Sequence, residues 1–306
     1  MKKILVATVK PFAPQAIKEM KDIADSKGYE LVLLEKYQSP EELKQAVQQA
    51  DALIVRSDKI NREILEAAPH LKVIARAGAG YDNIDLDAAR EKDMVVMNTP
   101  GQNANAVAEL VLGMMVYMNR NKFNGTAGTE LKGKTLGIHA YGNVGKNVAR
   151  IAKGFKMDVM AHDPFVSSEI VERDGIKDVE ERDDLYEKCQ YVSLHIPANP
   201  HTVKSIGYDL LKKMPENAVL INTARKEVID EEGLLRLMEE RPDFKYISDI
   251  APDNKDILEE KFPGRVFFTP KKMGAQTAEA NINAGKAAVK QIIDFFENGN
   301  TTYKVN

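Results

Sequence analysis

Short runs of β-branched and apolar residues recur along the chain, and between them the apolar positions switch to a period of three to four. Strand-like runs at 4–9, 30–34, 52–55, 72–75 and 95–97 alternate in this way with helical patterns. Such alternation predicts βαβ units around a parallel sheet. In the first helical pattern Ile17, Met20 and Ile23 share one face and Gly28 closes the helix. A second series follows from Lys134, with runs at 157–163, 191–197, 218–225, 246–251 and 266–270. Each of these ends in polar residues or proline, which predicts one shared ligand-binding edge. Between the two series, 106–118 reads as a helix apolar on most sides, expected to be buried all round, between domains or under a second subunit. The polar, glycine-containing stretch 119–133 then reads as the domain connection. A last helix over 277–298, followed by 303–306, is expected to return to the first domain.

At 306 residues the chain exceeds the usual size of one domain, so two are expected. The predicted fold class is α/β, with two Rossmann-like, doubly wound parallel-sheet domains. A net charge of −3 argues against a nucleic-acid footprint, which carries a marked basic excess. The single cysteine, Cys189, allows no internal disulfide and points to a reducing cytoplasm. The first apolar run ends at Lys10-Pro11 and reads as a strand rather than a signal peptide, and no apolar run approaches a bilayer span. Neither a membrane nor a metal enters the expectation.

One stretch carries explicit chemistry. After the run at 134–139, Ala140-Tyr-Gly-Asn-Val-Gly145 leads into a helical pattern. A strand ending in a tight turn aims the first amides and the positive end of the next helix at an anion. Gly142 and Gly145 would permit close approach of a pyrophosphate and close helix–strand packing. Asp163 lies about 20 residues on, where a ribose-binding acid belongs, and its charge would favour NAD over NADP. The fingerprint's first glycine, however, is Ala140. By spacing alone the stretch fits either a dinucleotide site or an ordinary βαβ turn. Two loops in the first half, Arg56-Ser57-Asp58-Lys59 and Arg76 through Asn83, bring two arginines and a lysine to expected strand ends. They suit a phosphate or carboxylate, arginine supplying the bidentate fork, and equally suit a solvated surface.

Taken together, the segments resemble the D-2-hydroxyacid dehydrogenases, and within them the short 3-phosphoglycerate dehydrogenases. The resemblance rests on Arg76-Ala-Gly-Ala-Gly-Tyr-Asp-Asn-Ile-Asp85, Asn98-Thr-Pro with Val107-Ala-Glu-Leu110, the glycine loop with Asp163, Leu194-His-Ile-Pro197, Asn222-Thr-Ala-Arg225, and Thr269-Pro270 leading to Gly274-Ala-Gln-Thr277. It covers nearly the whole chain. It implies two Rossmann-like domains with the active site in the cleft: a substrate-binding domain of residues 1–97 plus 277–306, and an NAD-binding domain of residues 98–276. It also implies that Arg225 orients the substrate carboxylate and Asp249 holds the nicotinamide carboxamide. The NAD groove would be lined by Tyr141, Gly142, Asn143, Val144, Gly145, Asp163, Ile196, Pro197, Thr223, Ala224, Gly274 and Ala275, with His195 toward the adenosine side. Arg56, Ser57, Lys59, Arg76 and Asn103 would meet the substrate phosphate, and Gly78 and Ala79 the carboxyl end.

The chain departs from the family pattern at two catalytic places. Asn254 stands where a glutamate is usual, and Lys272 where the histidine it pairs with is usual; no histidine follows His201. A lysine resembling that of a lysine-bearing subgroup could serve as general acid and base. Its ordinary pKa of about 10.4 would need lowering by burial and by the nearby Arg225 charge, and loss of a partner carboxylate fits that need. The implied activity is NAD-dependent oxidation of 3-phosphoglycerate to 3-phosphohydroxypyruvate, the entry to serine synthesis, by a homodimer acting on a small molecule and subject to little inhibition by serine. Two alternatives are a glyoxylate, hydroxypyruvate or D-lactate type reductase of the same family, and a non-catalytic NAD-sensing protein like the family's corepressors.

Overall fold

The computed structural model describes all residues, Met1–Asn306, and they form two compact units, 1–103 with 276–306, and 104–275. In the first, β1 (Lys3–Thr8), β2 (Glu30–Glu35), β3 (Ala52–Val55), β4 (Val73–Arg76) and β5 (Val95–Asn98) form an all-parallel sheet in the order β2-β1-β3-β4-β5. Helices α1 (Pro14–Ser26), α2 (Pro40–Val47), α3 (Arg62–Glu66) and α4 (Leu86–Glu91) connect the strands. Successive residues of a strand face opposite sides of the sheet. Ala52 and Ile54 accordingly enter one core, and Leu53 and Val55 the other. That is why these strands read as unbroken apolar runs, and each buried Ile or Leu contributes about 1.5–3 kcal/mol.

The second unit opens with α5 (Ala104–Asn119) and continues through β6 (Thr135–His139), α6 (Asn143–Gly154), β7 (Asp158–His162), α7 (Ser168–Arg173), β8 (Lys177–Asp178), α8 (Arg182–Lys188), β9 (Tyr191–Leu194), α9 (Tyr208–Leu211), β10 (Val219–Asn222), α10 (Glu231–Glu240), β11 (Lys245–Ser248), α11 (Lys255–Lys261) and β12 (Val266–Phe268). Its seven parallel strands run in the order β12-β11-β10-β9-β6-β7-β8. In both sheets the order reverses once, between β1 and β3 and between β6 and β9. Ligands of open α/β sheets bind beyond the carboxyl ends of the strands at such reversals.

The chain then returns to the first unit with α12 (Ala278–Asn298), which packs on α1. Its small residues permit the approach: a Cβ on Gly285 would lie 2.6 Å from the Met20 sulfur. Beyond α12 the last residues run antiparallel to β5, with Val305 N donating to Val96 O at 2.9 Å, and so cover the sheet edge.

Three expectations are corrected. The stretch 119–133 lies inside the second unit and connects no domains, because α5 shares one core with α6: Ala108, Val111, Leu112 and Met115 pack with Val148, Ala149 and Ala152. The first crossing between units falls after Asn103 rather than after Met97, since Thr99 N donates to Gly78 O and the Asn98 amide to Ala79 O, holding that segment to the first sheet. Nor is α5 buried all round. Asn105, Glu109 and Gly113, four apart, form an exposed stripe. No helix is long and apolar enough to cross a membrane.

Candidate active site

At the reversal between β6 and β9 the glycine loop leaves β6. Ala140 takes the left-handed conformation, φ 81°, that the fingerprint's first glycine would adopt freely. For a residue with a Cβ this costs roughly 1–2 kcal/mol. Gly145 is where close packing is enforced: a Cβ there would sit 2.4 Å from Ala140 O. Gly142 caps α6 without any side-chain acceptor, and a Cβ added to it would meet nothing within 4 Å. The first amides of α6 are therefore left to an anion approaching over Gly142. Asp163 shapes the same loop, accepting from Tyr141 N at 2.8 Å and Phe165 N at 2.9 Å. A carboxylate has about four acceptor positions, so room remains for ribose hydroxyls.

Beside this loop, His195 N donates to His139 O, and His139 Nδ1 lies 3.0 Å from the Tyr186 hydroxyl. Burial pushes both histidines down to about 3, so both are neutral at physiological pH. His195 Nε2 and, beyond β10, Thr223 Oγ1 are buried without a hydrogen-bond partner. Buried polar atoms in this state call for a partner, which water or a polar ligand can supply. Cys189 lies elsewhere, buried beneath Gly137, with its thiol pushed up to about 12. It is no nucleophile.

The other candidate residues of this unit follow β10, β11 and β12. The Asn222 side chain accepts from Ala224 N and donates to Arg225 O, both at 2.9 Å, fixing the turn that presents Arg225. Asp249, only 1% exposed, is the hub. Its Oδ1 accepts from the Thr269 hydroxyl and from Met273 N, each at 2.9 Å, and its Oδ2 from Gly274 N at 2.8 Å. The carboxylate thereby grips the two residues that follow Lys272, and it packs closely on Gly274, where a Cβ would lie 3.0 Å from Oδ2. Asn254 is held in turn by Glu231, whose two carboxylate oxygens accept from Asp253 N at 2.9 Å and Asn254 N at 3.1 Å. Lys226, next to Arg225, pairs with Asp253. Arg225, Asp249, Asn254 and Lys272 are thus carried on loops tied to one another. Lys272 itself is exposed, against the burial expected for it.

In the first unit, loops beyond β3 and β4 flank the β1/β3 reversal. Arg56 is largely engaged within the chain: it donates to Lys10 O and Pro11 O at 2.9 Å, contacts Asn281 Oδ1, and lies over the Phe12 ring. Its neighbour Asp58 accepts from Val9 N and the Tyr37 hydroxyl. The two hold this strand-end loop in place, a role for Asp58 that the sequence did not signal. Ser57 and Lys59 are exposed beside them, and Asn103 is half-buried before α5. The Arg76 guanidinium lies against Gly78, where φ is 151° and a Cβ would collide with Nη1 at 1.3 Å. Gly78 N donates to Arg76 O at 2.8 Å, so this amide serves the turn itself, and Ala79 is the exposed residue of the pair.

Glu231 is the contributor most hidden in the sequence. It opens α10 in an Asp-Glu-Glu run that reads as first-turn acids. Only the tertiary bonds to Asp253 and Asn254 reveal the role.

Comparison with known proteins bears on all of this. The family model described as the D-isomer specific 2-hydroxyacid dehydrogenase catalytic domain matches residues 4–306. A D-3-phosphoglycerate dehydrogenase of Methanocaldococcus jannaschii is 35% identical over 95% of this chain and 57% of its own length. The chain thus spans little more than half of that relative. A hydroxypyruvate reductase of Thermotoga maritima is 34% identical over 86% of this chain and 90% of its own. The solved structure of an NAD+-bound 3-phosphoglycerate dehydrogenase from Entamoeba histolytica is 50% identical, with a TM-score of 0.90, covering 100% of this chain and 98% of that one.

Proposed function

The chain belongs to the D-isomer specific 2-hydroxyacid dehydrogenase family, and from that premise we propose that it oxidises 3-phosphoglycerate to 3-phosphohydroxypyruvate with NAD. The observation that carries this reading is its 50% identity, over the full length, to a 3-phosphoglycerate dehydrogenase whose structure holds NAD+. The residues fit such a cofactor: uncapped amides at the start of α6, open space over Gly142, Asp163 for the ribose, and the partnerless His195 Nε2 and Thr223 Oγ1 along the same edge. Tyr141, Asn143, Val144, Gly145, Ile196, Pro197, Ala224, Gly274 and Ala275 complete the groove in this reading, and Asp249 takes the carboxamide.

When bound, NAD accepts the hydride that leaves C2. The chain's own residues do the rest. Arg225 holds the substrate carboxylate in a two-pronged hydrogen bond and so fixes which face of C2 is presented. The C2 hydroxyl proton passes to Lys272 Nζ as the carbonyl forms. In the reverse direction the protonated amine returns it and stabilises charge on the carbonyl oxygen. Lys272 is exposed in the free chain, and in this reading substrate and cofactor cover it before the proton moves. Asn254 is neutral where a glutamate would add a negative charge that raises the lysine's pKa. Arg76, Lys59, Ser57 and Asn103 meet the phosphate and Ala79 N the carboxylate end, while Arg56 holds the loop that presents them. The exposed stripe on α5, bordered by half-buried Leu110, Val116 and Tyr117, supports a homodimer. The single cysteine supports a cytoplasmic setting.

A second reading, hydroxypyruvate reduction, is favoured by the Thermotoga maritima relative, which is matched over 90% of its length. One steady-state comparison separates the two. With NAD or NADH supplied, kcat/KM is measured for 3-phosphoglycerate, D-glycerate and D-lactate, and in reverse for hydroxypyruvate and its 3-phosphate. Phosphorylated substrates are expected to lead by at least about tenfold, since a single charged hydrogen bond to the phosphate is worth about 1.4 kcal/mol or more. Equal or better use of the unphosphorylated compounds rejects the first reading.

A further inference from the structure

Helix α6 gathers three cations on one face with no carboxylate paired to them. Lys146, Arg150 and Lys153 lie four and three residues apart, on one face, and the helix has no acidic residue. Like charges at this spacing each cost a few tenths of a kcal/mol, and a cation near the first turn, as Lys146 is, opposes the helix dipole, which favours Lys153 in the last turn. Many surface lysines of this chain are in ion pairs, as Lys18, Lys44, Lys212 and Lys213 show, but none of these three cations is.

The three line a cavity of about 400 Å³ together with Tyr141, Asp174 and Ile176. Its floor is apolar: Tyr141 and Ala149 are 1% exposed and Ile176 4%. Neutral groups orient the rim without cancelling its charge. Arg150 Nη2 donates to Asn105 Oδ1 at 2.6 Å and to Asn147 Oδ1 at 3.2 Å, and Lys153 Nζ donates to Asp174 O at 2.9 Å. Gly175 makes space for that lysine, since a Cβ there would lie 2.7 Å from Nζ. The one carboxylate present, Asp174, accepts from the Tyr141 hydroxyl at 3.1 Å. An apolar floor with three cations and one engaged acid suits a small ligand of at least two negative charges.

We propose that this cavity binds a small phosphoryl-rich anion, and that binding there opposes NAD. Two features couple the sites. Both anions draw on the positive field of α6, and Tyr141 spans the gap, its hydroxyl on Asp174 and its amide on Asp163. The inference needs only that NAD binds the glycine loop, not which hydroxy acid is oxidised.

Inorganic pyrophosphate is the probe. NAD is first titrated alone by calorimetry, so that failure of the cofactor assignment is seen separately. Pyrophosphate is then titrated at constant ionic strength into NAD-saturated wild type and into the NAD-saturated double variant Arg150→Gln/Lys153→Gln. Wild type is expected to bind one pyrophosphate per chain that the variant binds at least about tenfold more weakly. Identical isotherms, or no saturable binding, overturn the site. Pyrophosphate is also expected to weaken NAD about threefold more in wild type than in the variant, the coupling being reciprocal. Direct competition at the glycine loop would weaken NAD equally in both proteins, and that result overturns the coupling.

Discussion

The two ends of the second unit's sheet hold their loops by different means. Beyond β10, β11 and β12 the loops are tied by carboxylates: Asp249 grips Thr269, Met273 and Gly274, and Glu231 grips the Asp253 and Asn254 amides. Beyond β6 and β9 they rest mainly on backbone conformation and neutral side chains, with Ala140 at positive φ, Gly145 against Ala140 O and two uncharged histidines, and a carboxylate, Asp163, only at the Tyr141 amide. Charged hydrogen bonds are short and directional, and suit the end to which the proposed mechanism assigns the proton donor. A pyrophosphate needs instead a row of open amides; the Asp163 carboxylate engages Tyr141 N, ahead of α6, and the first amides of the helix carry no side-chain cap. One end is therefore rigid by electrostatics and the other open through its backbone.

This contrast can be broken from either side. The largest effect is expected from Asp249→Asn, whose NH2 would meet either the Met273 or the Gly274 amide donor to donor while its remaining oxygen serves the other. The loop bearing Lys272 should shift and turnover fall about 10²-fold; near-normal kcat would show that the carboxylate does not position it. At the histidine end the probe is acid. His139 has its pKa depressed from the ordinary 6.5 to about 3, so the unfolded chain binds its proton first as pH falls. Its neutral form stabilises the protein fully above 6.5, and that stability is lost progressively as pH drops from 6.5 toward 3. The expected loss is about 2 kcal/mol at pH 5. Denaturant unfolding at pH 7 and 5 measures it; His195, depressed alike, adds a similar loss, so His139→Phe should remove about half of the histidine contribution, and an unchanged difference would remove His139 as a cause. The smallest effect is Ala140→Gly. Relief of the left-handed strain should outweigh the added chain entropy and stabilise by up to about 1 kcal/mol with NAD affinity unchanged. Destabilisation would mean that Ala140 is not strained.

Much of this was legible in the chain. Apolar runs buried on both faces of a parallel sheet announce themselves without any partner, so the strands were readable except β8. That strand is two polar residues, Lys177 and Asp178, between Ile176 and Val179 at a sheet edge, too short for a period to show. The glycine loop was readable because its chemistry is local. The Asp249 and Glu231 clamps were not, since each bonds residues about 20 positions away and a carboxylate carries no sign of which amides it will meet. The same holds for Arg56, which reads as a phosphate ligand and proves to be bound largely to its own neighbours. The apolar character of α5 suggested complete burial, whereas its exposed stripe runs through Gly113, which hydropathy counts as neutral.

The central claim is that Lys272 moves the proton at the rigid end, and the variant Lys272→Ala tests it most directly. With 3-phosphoglycerate and saturating NAD, kcat should fall about 10²-fold or more while the NAD dissociation constant stays near that of wild type. Near-normal turnover in that variant would contradict the account.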